Sequence, residues 1–187
     1  MTYVVDPARP WLGGNIAGGD SRTHYPGLWA WLVSRFAAWT VLDVGCGEGH
    51  ACAEFADIGC RVKGIDGLYQ PATWTGQYIY TQHDLTTSPC LTPQIDLVWC
   101  CEVVEHIEER FLGNLLDTIT QGRVLAMTHA VPGQGGWHHV NCQPADYWID
   151  HIQSRGMRLD RDATDESRSL AGHYWQATGL IFTRGSA

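Results

Sequence analysis

The run Val41-Leu42-Asp43-Val44-Gly45-Cys46-Gly47-Glu48-Gly49-His50 limits what this chain can fold into more than any other segment. A short apolar strand breaks into a turn with glycine at every second position, and a helix over 51–58 follows directly. Glycine has no Cβ, so such a turn can be sharp and its backbone can approach a ligand closely. The helix behind it offers unpaired N–H groups at its first turn. Strand, glycine turn and helix in that order build a nucleotide-cofactor site at the carboxyl end of a first parallel strand. Two details separate the run from a dinucleotide site. The spacing is G-x-G-x-G instead of G-x-G-x-x-G, and Asp43 places a carboxylate at the strand end. That carboxylate repels a diphosphate but suits a cationic sulfonium ligand with a free amino group.

The rest of the chain alternates between periods. Strands are expected at Thr40–Val44, Arg61–Asp66, 78–82, 95–101 and 122–128, with helices over 107–118 and 144–154 and a short helix around 69–75. Met157–Leu159 and 174–183 read as the last two strands, with no clear helix between them. Upstream, Pro26 opens a helix whose apolar face is Leu28, Trp29, Leu32, Val33 and Phe36. Residues 1–25 show no period and read as an irregular arm with turn signals at Gly13-Gly14-Asn15 and Gly18-Gly19-Asp20. Alternating β and α elements with short links predict an α/β domain over 26–187, a mostly parallel sheet with helices on both faces.

A hydrophobic content of 44% and a charged content of 17% fit one globular domain with a sizeable core. The net charge of −8 argues against a nonspecific nucleic-acid binder. The seven cysteines contain no C-x-x-C pair, so reduced thiols of an intracellular, cytoplasmic protein are expected, not a disulfide framework. No apolar run approaches membrane-spanning length. The nine tryptophans are expected mainly in core and rim packing.

Val41 to Gly49 closely resembles motif I of the class I S-adenosylmethionine-dependent methyltransferases, and the motif-matched part of the chain spans roughly 40–130. The resemblance implies a Rossmann-like, seven-stranded sheet whose last strand inserts antiparallel between strands five and six. It also implies S-adenosylmethionine as cofactor. Asp43, Gly45, Gly47 and Gly49 would form the turn at its methionine end. Asp66, about twenty residues downstream, can accept both ribose hydroxyls. By the family pattern, Asp84 would accept from the adenine amino group, Leu85 would supply a backbone N–H, Leu68 would pack on the ring and Glu102 would lie near the sulfonium.

The segment Cys101-Glu102-Val103-Val104-Glu105-His106-Ile107 is the second strong signal. Glu105 and His106 could simply cap and begin the next helix. The segment is also similar to the metal site of the small-RNA 2′-O-methyltransferases and to the matching stretch of the ubiquinone-biosynthesis O-methyltransferases. On that reading Glu102, Glu105, His106 and His139 would hold Mg²⁺ or Mn²⁺. His138 or His139 could serve as base toward an acceptor hydroxyl, and Glu102 is a further candidate catalytic residue. The expected reaction is O-methylation of a small-molecule or sugar hydroxyl. RNA 2′-O-methylation and a non-catalytic partner subunit are the alternatives, and residues 1–25 would act as a lid.

Overall fold

The computed structural model describes residues 2–68 and 76–185, so the helix expected around 69–75 lies outside the described residues. Seven strands form one sheet: β3 (Thr40–Val44), β4 (Arg61–Asp66), β5 (Ile79–Gln82), β6 (Leu97–Cys100), β7 (Val124–Met127), β8 (Met157–Leu159) and β9 (Leu180–Arg184). Their order is β5-β4-β3-β6-β7-β9-β8. The first five pair in parallel, with Leu42 opposite Lys63 and Val98, and Val98 opposite Leu125. Only β9 runs against its neighbours, pairing Met127 with Leu180 and Leu159 with Phe182. This is the Rossmann-like order that the motif resemblance implied. The chain leaves β3 on one side toward β4 and returns on the other as β6, and the crevice at that switch point is where α/β sheets bind ligands.

Alternation along the strands feeds two cores. Val41, Leu97, Trp99 and Ile181 face α1 (Pro26–Phe36), α2 (His50–Asp57) and Trp175. Leu42, Val44, Val98, Leu125 and Phe182 face α3 (Leu112–Ile119) and α4 (Ala145–Gln153). Helices therefore cover both faces, as a parallel sheet requires. Tryptophan does serve packing: Trp29, Trp99, Trp148 and Trp175 are buried, and Trp99 stacks on Trp175 at 4.8 Å. The cysteines are free thiols, and no described helix is long and apolar enough to cross a membrane.

The structure corrects three expectations. The segment expected as an irregular arm is an antiparallel hairpin of β1 (Tyr3–Asp6) and β2 (Arg9–Ile16), turned where the Asp6 carboxylate accepts from the Ala8 N–H at 2.9 Å. Gly13 and Gly14 lie inside β2 at a register slip, with φ of 120° and 105°, instead of forming a turn. Second, α5 (Arg161–Leu170) and α6 (His173–Thr178) fill the gap before β9, so the strand expected over 174–183 begins only at Leu180. The buried positions of α5 are Ala163, Thr164 and Ser167, small and mostly hydroxylic, which an apolar-period reading misses. Their hydroxyls are satisfied internally: Thr164 Oγ1 accepts from Ile181 N at 3.0 Å, and Ser167 Oγ from Trp175 Nε1 at 3.1 Å. Third, the helix expected from 107 starts at Leu112, after two short 3₁₀ turns at Val104–His106 and Glu109–Phe111.

Candidate functional site

A cavity of about 550 Å³ opens over the carboxyl ends of β3, β4 and β6, within the size range of small-molecule sites. Its floor is the glycine turn. Gly45, Gly47 and Gly49 all have positive φ, and the Gly45 and Cys46 N–H groups both donate to Ile65 O, at 2.8 and 3.0 Å. A Cβ on Gly45 would lie 2.3 Å from Val103 Cγ2, whereas one on Gly47 would find nothing nearer than Asn15 at 3.5 Å. Gly45 is therefore fixed by packing, and Gly47 by its left-handed backbone where the turn meets the cavity.

Asp66 ties this floor together. Its Oδ2 accepts from Gly47 N at 2.9 Å and its Oδ1 from Leu68 N at 2.8 Å, so one carboxylate spans the turns after β3 and β4. Burial raises its pKa, and those two hydrogen bonds oppose the rise. Asp43 is 3% exposed and accepts from Cys52 Sγ at 3.1 Å. Burial, with the nearby Asp66 charge, pushes Asp43 up to about 7. Asp84 lies at the far end of the same wall. Burial raises it, but bonds from Thr86 N at 2.8 Å and Trp11 Nε1 at 3.2 Å hold it below the usual carboxylate range. Leu85 lines the cavity; Leu68 is buried but is not on its wall, where Gly67 takes that place.

The second cluster stands on the loop after β6. Glu105 is fully buried, and neither of its carboxylate oxygens has a partner. Burial and the Glu102 charge push it up to about 8. His106 Nδ1 is likewise buried and unpartnered, and burial with the two neighbouring histidines pushes that ring down to about 4. Ligand atoms of Glu105, His106 and His139 lie within 4.8 Å of one another. The loop after β7 is pinned here because Val140 N and Asn141 N both donate to Glu105 O at 3.0 Å. An unpaired buried carboxyl beside two imidazole nitrogens is costly by itself and fits a divalent cation. Glu102 is outside that group. Its backbone is held at φ 55°, Thr128 Oγ1 donates to its carboxylate at 2.8 Å, and burial raises its pKa. Of the histidine pair, only His139 is on the cavity wall; His138 stands off it, with Nε2 buried and unpartnered.

The N-terminal hairpin and the segment after it roof the cavity. Trp11 reaches Asp84, Gly18 N donates to Glu48 Oε1 at 2.9 Å, and the Tyr3 and Trp137 rings lie 6.0 Å apart. A Cβ on Gly14 would come within 2.8 Å of His106 Cε1, so β2 also seats on the second cluster. Sequence reasoning passed over Trp11, Asp20, Arg22 and Tyr174. Arg22 pairs with Asp20 at 2.8 Å, stacks on Tyr174 at 5.0 Å, and is the one Lys or Arg on the described wall. A lone Asp-x-Arg before a helix carries no distinctive signal, since only folding brings it to the cavity.

Known proteins place this architecture. The chain is 36% identical over 78 residues to the ubiquinone biosynthesis O-methyltransferase of Yersinia enterocolitica, covering 37% of this chain and 32% of that protein. It is 41% identical over 66 residues to the tRNA U34 carboxymethyltransferase of Shewanella denitrificans, covering 31% and 20%. The chain thus matches a third or less of the length of these curated relatives. In three dimensions it resembles a TehB-like S-adenosylmethionine-dependent methyltransferase from Corynebacterium glutamicum, with a TM-score of 0.64 and 19% identity over 90% of this chain and 91% of that one. Residues 21–176 match the methyltransferase-domain family. With the seven-stranded order, the glycine turn and the acid that ends β4 in place, the chain belongs to the class I S-adenosylmethionine-dependent methyltransferases.

Proposed function

We propose that this chain methylates a hydroxyl of a small molecule, with S-adenosylmethionine as donor and a divalent cation at the second cluster. The observation that carries the reading is Asp66, whose carboxylate joins the glycine turn to the turn after β4 on the cavity wall. Each carboxylate oxygen has a further lone pair for a ribose hydroxyl. Asp43 lies on the cavity wall, where the positive charge of a bound cofactor would lower its raised pKa and ionise it. Asp20 and Arg22, paired on the same wall, would offer charges of both signs to the cofactor's amino-acid end.

When bound, the cofactor would supply an electrophilic methyl to the acceptor oxygen, with its sulfur taking the S–C electron pair and the hydroxyl proton left for the protein to accept. Glu102, on the wall at the end of β6 and outside the three-residue group, is the acceptor for that proton. Glu105, His106 and His139 would hold Mg²⁺ or Mn²⁺, which lowers the pKa of a coordinated hydroxyl. The hairpin excludes water while the groups are aligned, and alignment supplies most of the rate.

Calorimetric titration with S-adenosylhomocysteine and, separately, NAD⁺ tests the cofactor reading; tighter NAD⁺ binding refutes it. Turnover before and after EDTA, with each ion restored, tests the cation. Full activity in chelator would reduce Glu105 and His106 to structural groups.

A further inference from the structure

We propose that Cys46 and Cys52 are an oxidation site, which a peroxide closes to a disulfide that pulls the glycine turn out of shape and weakens cofactor binding. The disulfide stands on the two thiols alone; its effect on the cofactor rests on the methyltransferase reading above.

Cys46 lies inside the glycine turn, between Gly45 and Gly47; it is 9% exposed and reaches the cavity wall. Cys52 is fully buried on the first turn of α2. Both are free thiols, and their sulfurs converge on the bare backbone of Gly64 in β4, where a Cβ would lie 2.8 Å from each. A side chain at that position would push them aside, so the glycine makes room for the pair. A disulfide holds its sulfurs about 2 Å apart, and closing one draws the turn toward α2. The bonds at risk are those of the cofactor floor: Cys46 N donates to Ile65 O at 3.0 Å, and Gly47 N to Asp66 Oδ2 at 2.9 Å.

Asp43 completes the chemistry, because Cys52 Sγ donates to its Oδ2 at 3.1 Å. The neighbouring Cys52 thiol lowers the Cys46 pKa, but burial and the Asp43 and Asp66 charges outweigh it and leave it raised. Burial holds Cys52 well above the usual thiol range. Cys46 is thus the more readily ionised thiol and the one on the wall, so it meets the oxidant first. Its thiolate attacks the O–O bond of hydrogen peroxide, giving a sulfenic acid, and the departing hydroxide takes up the thiol proton as water. Cys52 Sγ then attacks the sulfenic sulfur while its proton passes to the Asp43 carboxylate. The sulfenic oxygen leaves with that proton as a second water.

The test treats the reduced full chain with excess hydrogen peroxide, then follows intact mass, peptide maps and calorimetry with S-adenosylhomocysteine. The chain should lose two hydrogens, map to one Cys46–Cys52 crosslink and bind S-adenosylhomocysteine about tenfold more weakly or worse, with dithiothreitol restoring it. Saturating S-adenosylhomocysteine should slow the crosslink by covering the wall. Cys52→Ser should form no crosslink and instead carry a dimedone-reactive sulfenic acid at Cys46. A crosslink between another pair, a Cys46 that stays a free thiol, or a crosslinked chain of unchanged affinity overturns the proposal. If the reduced chain binds no S-adenosylhomocysteine, the methyltransferase reading falls and takes the cofactor effect with it, while the peptide map still decides the disulfide.

Discussion

Replacing Asp66 by alanine should damage two properties at once, because its carboxylate is both a structural clasp and a ligand group. In the free protein it accepts from Gly47 N and Leu68 N at 2.9 and 2.8 Å. Hydrogen bonds to a charged acceptor are worth about 1.5–3 kcal/mol each, so the gross loss is about 3–6 kcal/mol. Removing a buried carboxylate that burial penalises returns part of this, leaving a net destabilisation of roughly 2–4 kcal/mol. For a chain of this size that lowers Tm by about 5–15 °C. Losing the ribose contacts should weaken S-adenosylhomocysteine by a further ten- to hundredfold, equivalent to roughly 1.5–3 kcal/mol. Asp66→Asn keeps the shape and one acceptor oxygen, so it should recover about half of the Tm loss, by the same hydrogen-bond count. Differential scanning fluorimetry reads the first effect and calorimetry the second. A folded Asp66→Ala variant with wild-type affinity would remove Asp66 from the cofactor site, and an unchanged Tm would show that the clasp carries no net stability.

The two glycines that look alike in sequence should behave differently. Gly47→Ala has room for its methyl and pays only for a left-handed backbone, about 1–2 kcal/mol, whereas Gly45→Ala also drives a methyl into Val103 and should lower Tm distinctly more; equal Tm values refute the packing argument. Trp11→Phe keeps the ring but removes the donor to Asp84, and should speed S-adenosylhomocysteine release in stopped flow by about fivefold, the value of a partly exposed hydrogen bond; an unchanged rate would mean the hairpin is not a latch. Mn²⁺ affinity, followed by calorimetry, should rise with pH up to about 8, because Glu105 must lose its proton to bind, while His106 is already neutral above about 4. Without the ion, Glu105 is protonated in the native state at pH values where the unfolded chain has lost the proton. Its contribution to stability therefore falls as pH rises from about 4.5 to 8. A pH-independent affinity over that window would place the ion elsewhere.

What the sequence determined by itself is local. β3, β4 and β8 fall where periodicity put them, and the glycine turn could be read because glycine spacing and an acid at the strand end are properties of neighbouring residues. α5 stayed hidden because its buried stripe is Ala163, Thr164 and Ser167, and the hydroxyls become core residues only when Ile181 and Trp175 arrive to bond them. The hairpin stayed hidden because its glycines read as turns, while Gly13 and Gly14 are needed where β2 crosses β1 and rests on His106. The site followed the same division. Asp66 was legible at a fixed distance from the turn, but its clasp across Gly47 and Leu68 was not. The sequence put Glu102, Glu105, His106 and His139 in one ligand group, and tertiary structure alone decided that Glu102 stays apart on Thr128 while the other three meet. Tertiary structure also joined Trp11 to Asp84 and brought Tyr3 to Trp137. These pairs are set by where the sheet edge delivers loops far apart in the chain, and neither period nor spacing carries that information.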